Sequence, residues 1–233
     1  LLARVALFLA PRFASEPRIA RAADGTVSFS DMDGMAVRYT LDGREPTASS
    51  PVYTAPFALP EGGIVTAAVL AGDNPGILVP DDRVEARATY GLAKTGWTVL
   101  PPAAGADALL DDNPATVWRA APGLREVCLD LGRTIPVGGI GYLPPQVSRS
   151  ADGFVQLCRC YVADQPGNWG APVGELRCDN VANNPVEQRL DFPPATGRYL
   201  RVEVVETVAA NAQPAFGGIN VYIHHEGTKH TKG

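Results

Sequence analysis

The chain has 233 residues, 45% hydrophobic and 19% charged, with 24 glycines, 21 prolines and a net charge of −5. Such a composition is globular, suits one large or two small domains, and excludes a disordered chain. Lys94, Lys229 and Lys232 are scattered and no basic stripe forms to track phosphates, so nucleic acid is excluded as a partner. No apolar run reaches the roughly 18 residues of a membrane-spanning helix, so no membrane span is expected.

Leu1–Ala10 is apolar apart from Arg4. It reads as the end of a preceding domain, or alternatively as a signal-peptide remnant, and residues 1–15 are set aside as the remnant of a preceding segment. From Glu16 the pattern takes period two. Val27 and Phe29 alternate with Thr26 and Ser28, and Val37–Leu41 alternates again before Asp42-Gly43, a strong turn signal. Pro51, Pro56 and Pro60 punctuate a loop carrying Val52, Tyr53 and Phe57. Gly62-Gly63 then introduces a strand over Ile64–Leu70, and a last strand covers Arg83–Tyr90. Short strands at this spacing predict a small immunoglobulin-like sandwich over residues 16–90. Residues 91–96 read as a linker.

The second segment, residues 97–223, opens with Trp97–Leu100. Val127, Leu129 and Leu131 alternate with Cys128 and Asp130 until Gly132 breaks the run. Strands then follow at Val137–Tyr142 and Phe154–Val162. Val186, Gln188, Leu190 and Phe192 alternate with Glu187, Arg189 and Asp191, and Leu200, Val202 and Val204 alternate with Arg201 and Glu203. Ile219, Val221 and Ile223 close the domain. Strict alternation means one buried and one wet face, as in an antiparallel sandwich. About eight such strands predict a jelly roll, which makes the whole chain all-β. Residues 224–233 are polar and expected to form a flexible tail. Cys158 and Cys160 share a strand face and are poorly placed to bond each other. With Cys128 and Cys178 they make no zinc spacing and are read as buried free thiols.

Two resemblances follow from these residues. Val37-Arg38-Tyr39-Thr40-Leu41-Asp42-Gly43-Arg44-Glu45-Pro46-Thr47 and Ser50-Pro51-Val52-Tyr53 resemble the C-terminal domain of chitobiase and β-hexosaminidase, an accessory domain without catalytic residues. Leu110-Asp111-Asp112-Asn113-Pro114-Ala115-Thr116-Val117-Trp118, Leu129-Asp130-Leu131-Gly132 and Gly139-Ile140-Gly141-Tyr142-Leu143-Pro144 resemble the coagulation factor V/VIII type C, or discoidin, domain. So do Tyr161-Val162-Ala163-Asp164, Asn168-Trp169-Gly170 and Arg198-Tyr199-Leu200-Arg201. Bacterial relatives of that domain include the family 32 carbohydrate-binding modules. The order of the two domains, the linker Gly91–Trp97 and Asn183-Asn184-Pro185 are most similar to the tail of bacterial α-L-fucosidases; some β-hexosaminidases carry similar tails. The resemblance implies a periplasmic or extracellular accessory region, with a catalytic glycoside hydrolase domain in cis and glycans as partners.

No catalytic residue is expected in this chain. All three histidines, His224, His225 and His230, sit in the tail, so no Ser–His or Cys–His pair forms in the body. The acidic residues fall on polar strand faces and in turns, not as a facing pair. The resemblance also implies a structural calcium at Asp111, Asn113 and Thr116, because a tight acidic loop supplies several oxygens at once. Two departures from the family pattern weigh on this: Asp112 stands where the family usually has Gly, and Gly218 where it usually has Glu. A simple hydrogen-bonded turn stays open as the alternative. Sugar binding at one loop end would use Arg119, Gln146, Arg149, Asn183 and Asn184 for hydroxyls, with Trp169 covering the ring. Trp97 and Trp118 are read as core. Against glycan binding stands a purely structural reading, in which both sandwiches brace the catalytic domain.

Overall fold

The computed structural model describes residues 12–111, 113 and 115–223. The expectations for Leu1–Ala10 and for residues 224–233 lie outside them. The chain divides into two compact units. The first takes residues up to Arg21, Thr26–Leu59 and Gly63–Tyr90; the second takes Ala22–Gly25, Pro60–Gly62 and the chain from Gly91 onward.

The first unit contains β1 (Arg12–Phe13), β2 (Arg18–Arg21), β3 (Thr26–Ser30), β4 (Val37–Thr40), β5 (Phe57–Ala58), β6 (Gly63–Leu70), β7 (Ile77–Leu78) and β8 (Arg83–Tyr90). Two antiparallel sheets, β2-β3-β5 and β4-β6-β8, face each other. Val27 and Phe29 of one meet Val37, Val65, Ala67 and Val69 of the other in the core. β1 pairs in parallel with β7, so the unit begins before Glu16.

The aromatic residues of the Tyr39–Tyr53 motif have a packing role. Phe29 stacks on Tyr53 at 4.3 Å and Tyr39 stacks on Phe57 at 5.0 Å, with edge contacts between the pairs. Tyr39, Tyr53 and Phe57 pack against the core of the unit, where such rings fill space that short aliphatic side chains would leave poorly filled. Arg38, on the other face of β4, is held by Asp73 through two charge-assisted hydrogen bonds of 2.6 and 2.8 Å.

The second unit contains β9 (Thr98–Leu100), β10 (Trp118–Arg119), β11 (Glu126–Leu143), β12 (Val155–Ala163), β13 (Gly174–Arg177), β14 (Gln188–Thr207), β15 (Ala215–Phe216) and β16 (Gly218–Ile223). The main sheet runs β13-β12-β14-β11-β16 with β9 beside β11, and every pairing is antiparallel. Among the described residues no α-helix occurs, only three 3-10 turns. The fold is all-β.

β11 and β14 each merge two stretches that the alternation separates. The ladder between them is irregular at Asp130/Ile135 and at Val137/Gly139. Gly132 has φ of +76°, which suits the first break. Pro193 and Pro194 fall in the second, where the extra residues need no ladder donor. The strands therefore bend at these bulges and continue. Trp97, Trp118, Leu129, Ile140, Tyr142, Leu200, Phe216 and Ile219 are buried in one core. Cys158, Cys160 and Cys178 lie in that core as free thiols and Cys128 is half-buried.

Candidate functional site

Three loops meet at one end of the second sandwich. The first, residues 144–154, leaves β11 and enters β12. It is stitched to the segment before β15: Ala209 N donates to Asp152 O at 3.0 Å, Val208 N to Phe154 O at 3.0 Å, and Ala215 N to Gly153 O at 2.8 Å. Beneath the loops lies Tyr142, 2% exposed, whose hydroxyl donates to Ala215 O and accepts from Val155 N, both at 3.0 Å. One buried hydroxyl thus fixes the end of β11, the start of β12 and the approach to β15. Burial pushes its pKa far up, so it stays protonated and keeps donating.

On this base stand polar side chains. Arg119, exposed on β10, donates to Ser148 Oγ at 3.1 Å. Ser148 Oγ donates to Ser150 O at 2.6 Å, and Ser150 Oγ accepts from Asp152 N at 3.1 Å, which folds the loop tightly. Arg149 is exposed on the same loop. Neither arginine is ion-paired among the described residues. Gln146 Nε2 bridges Pro144 O at 2.8 Å and Pro185 O at 2.5 Å, tying this loop to the β13–β14 loop that carries Asn183 and Asn184, both exposed. The structure therefore brings Arg119, Gln146, Arg149, Asn183 and Asn184 to one end.

Trp169 does not join them. It sits in the loop after β12, whereas the arginine loop precedes β12. Nine residues of extended chain, roughly 30 Å, separate the two. The apolar surface near the arginines comes instead from two residues sequence reasoning missed: Val147, 58% exposed, and Val186, 53% exposed. They flank Gln146 and Pro185, the two partners of the bridge. Val186 does not take the buried strand position that alternation assigns it, because β14 starts only at Gln188. The signal available was its place directly after Pro185, outside the ladder.

The proposed calcium ligands form a turn. Asp111 Oδ1 accepts from Asn113 N at 2.9 Å and from Thr116 Oγ1 at 3.1 Å, while Asn113 Oδ1 accepts from Ala115 N at 3.0 Å. Asn113 O accepts from both Thr116 N and Thr116 Oγ1. Asp112 lies outside the described residues. Just before the loop, Leu109 O accepts from the ammonium of Lys94 at 3.3 Å, and Lys94 is only 6% exposed. Calcium sits about 2.4 Å from its oxygens, so an ion sharing that carbonyl would lie within about 6 Å of the ammonium. At an effective dielectric of 20 the two charges repel by roughly 6 kcal/mol. Among the described residues no cluster of three His, Cys, Asp or Glu side chains forms.

The displaced titrations lie elsewhere. Burial pushes the Cys128 thiol up to about 11, helped by Glu126, and the Cys178 thiol up to about 12. Two hydrogen bonds from Arg198, at 2.7 and 2.8 Å, hold the Asp130 carboxyl below its usual range, and Gly132 N adds a third. These belong to packing and to the wet sheet face, not to a carboxylate pair facing a cleft.

Comparison with known families gives two matches. The chitobiase/β-hexosaminidase C-terminal domain matches residues 21–76, and the F5/8 type C domain matches residues 93–216, more than half of the chain. Both are accessory domains, not catalytic ones. No curated protein matches the chain. Among solved structures, it is similar to CBM32-3 from a family 31 glycoside hydrolase of Clostridium perfringens, at 17% identity and TM-score 0.49, covering 58% of this chain and 96% of that one. It is also similar to the C-terminal domain of a chitobiase from Bacteroides fragilis, at 20% identity and TM-score 0.47, covering 56% and 95%. A third, the family 32 module of NanJ from C. perfringens in complex with galactose, has 16% identity and TM-score 0.43, covering 54% and 90%.

Proposed function

The chain belongs to the F5/8 type C domain family, and from that premise we propose that it is a glycan-binding accessory region of an exo-glycosidase, its sugar site at the loop end of the second unit. The observation that carries this reading is the juxtaposition of Arg119 and Arg149 with Gln146, Asn183 and Asn184 beside exposed Val147 and Val186. Guanidinium forks and amides pair with hydroxyls in fixed directions, and a small aliphatic surface covers the apolar face of a pyranose. The site is shallow, so affinity rests on a few hydrogen bonds of about 0.5–1.5 kcal/mol each. Binding is therefore weak and belongs to terminal sugars displayed in many copies.

The parent enzyme we propose is an α-L-fucosidase-like hydrolase, with the catalytic domain in cis and the whole protein periplasmic or extracellular. What supports it is the domain order, the linker Gly91–Trp97 and Asn183-Asn184-Pro185. The test is titration of the ¹⁵N-labelled chain with fucose, galactose, N-acetylgalactosamine and N-acetylglucosamine. Shifts confined to residues 144–153 and 183–186, and lost in Arg149→Ala, are expected with at least one sugar. Silence with all four at tens of millimolar would sink the glycan reading.

One observation favours a second reading, in which the sandwiches brace a catalytic domain, that of a β-hexosaminidase in this version, and bind nothing. Phe13 and Leu78 are register neighbours in β1 and β7, 66% and 51% exposed, and form an apolar spot on the first unit. The same titration separates the readings, since a brace leaves the loop-end amides unmoved.

A further inference from the structure

We infer that Lys94 is the resident cation of the Leu109–Thr116 loop, and that the loop holds its conformation without a divalent metal ion. A lysine 6% exposed needs a partner that repays its lost hydration. The carbonyl of Leu109, at 3.3 Å, is one of the partners of Lys94. Leu109 ends the 3-10 turn Ala106–Leu109, where outward carbonyls lack partners within the turn and favour positive charge. Its side chain is fully buried, so the carbonyl is fixed in place and the ammonium meets a rigid acceptor.

Asp111, Asn113, Ala115 and Thr116 are joined by donors of their own. Asp111 Oδ1 and Asn113 O each take one main-chain N–H and share the single Thr116 hydroxyl proton, and Asn113 Oδ1 takes one N–H. These oxygens turn inward on the loop's N–H and O–H groups. Near the Leu109 carbonyl stands Gly218, whose Cβ, if it had one, would lie 3.9 Å from that oxygen. A side chain there would start beside the carbonyl in ordinary van der Waals contact, and glycine supplies no oxygen. The positive charge that the carbonyl attracts comes from the chain itself, through a covalently tethered ammonium that no chelator removes.

The experiment is thermal unfolding of the whole chain followed by tryptophan fluorescence. Trp97, Trp118 and Trp169 all lie in the second unit, so the signal reports on that unit alone. The wild-type Tm is expected to be the same, to about 1 °C, in millimolar calcium and in excess chelator. Lys94→Met keeps the apolar stem and removes the charge; it is expected to lower Tm by about 5 °C or more, equally in both buffers. Adding Gly218→Glu to Lys94→Met vacates the ammonium's place and supplies a carboxylate beside it. That double variant is expected to gain a calcium-dependent rise in Tm that chelator reverses. A wild-type Tm that climbs several degrees in calcium, and no longer does so in Asp111→Ala, overturns the inference. So does Lys94→Met that melts like wild type, or a double variant blind to calcium. If the variants do not fold, the wild-type comparison decides alone.

Discussion

Tyr142→Phe tests whether the loop end is organised from beneath. The substitution removes one oxygen and leaves the ring where it packs edge-on to Phe216 at 5.3 Å. That oxygen serves two main-chain groups, Val155 N and Ala215 O, in residues that are wholly buried. Once the hydroxyl is gone, the relief left to them is each other, across the isolated bridge between Phe154 and Ala215. An unsatisfied buried group costs about 1–3 kcal/mol, so the pair costs about 2–4 kcal/mol after local relaxation. For a domain of this size each kcal/mol moves Tm by roughly 3–4 °C, which predicts a fall of about 10 °C. Tryptophan fluorescence reads the second unit, and urea titration gives the free-energy difference directly. Tyr161→Phe is the control: its hydroxyl donates to Glu203 at 2.8 Å, and Glu203, partly exposed, still has Arg201 at 3.5 Å once the hydroxyl is gone, so its shift should be several-fold smaller. If Tyr142→Phe loses less than about 0.5 kcal/mol, or no more than Tyr161→Phe, the reasoning about buried pairing at this end is wrong.

The remaining predictions concern the rest of the molecule. Asp130 has a carboxyl held below its unfolded value of about 3.9, so the stability it adds is complete above that pH and is lost as pH falls through the folded value. Melting temperatures should therefore drop steeply below about pH 4, and less steeply in Asp130→Asn. The thiols of Cys128 and Cys178, pushed to about 11 and 12, stay protonated at pH 8. Ellman's reagent should react slowly with the native chain and with all four cysteines after unfolding; rapid native labelling of Cys158 or Cys178 would contradict the buried placement. The chain alone should release no nitrophenol from fucoside, galactoside or hexosaminide substrates. Activity that survives purification and disappears with one carboxylate would reverse the accessory reading.

Local regularities of this chain are legible where one residue acts on its neighbours. Period-two alternation marks the strands because it depends on adjacent residues only, whereas Asp42-Gly43, a hairpin signal by sequence, is a bend in which Asp42 bridges in parallel to Ile64. The same locality misleads at Gly132 and at Pro193-Pro194. Each reads as a strand end, yet each sits in a bulge where the neighbouring strand continues the ladder. Lys94 is a lone lysine in a linker by sequence, and its burial against Leu109 appears only when segments fifteen residues apart meet. Trp169 shows the limit for the site itself. A half-buried aromatic in a loop is a reasonable sugar platform, but its worth depends on which end of the sheet the loop occupies. In an antiparallel sheet the chain reverses at each turn, so the loops before and after β12 lie at opposite ends whatever residues they carry. Arg149 precedes β12 and Trp169 follows it. No single glycan at the arginines reaches both, and the ring cover must come from loops of the same end, where Val147 and Val186 stand.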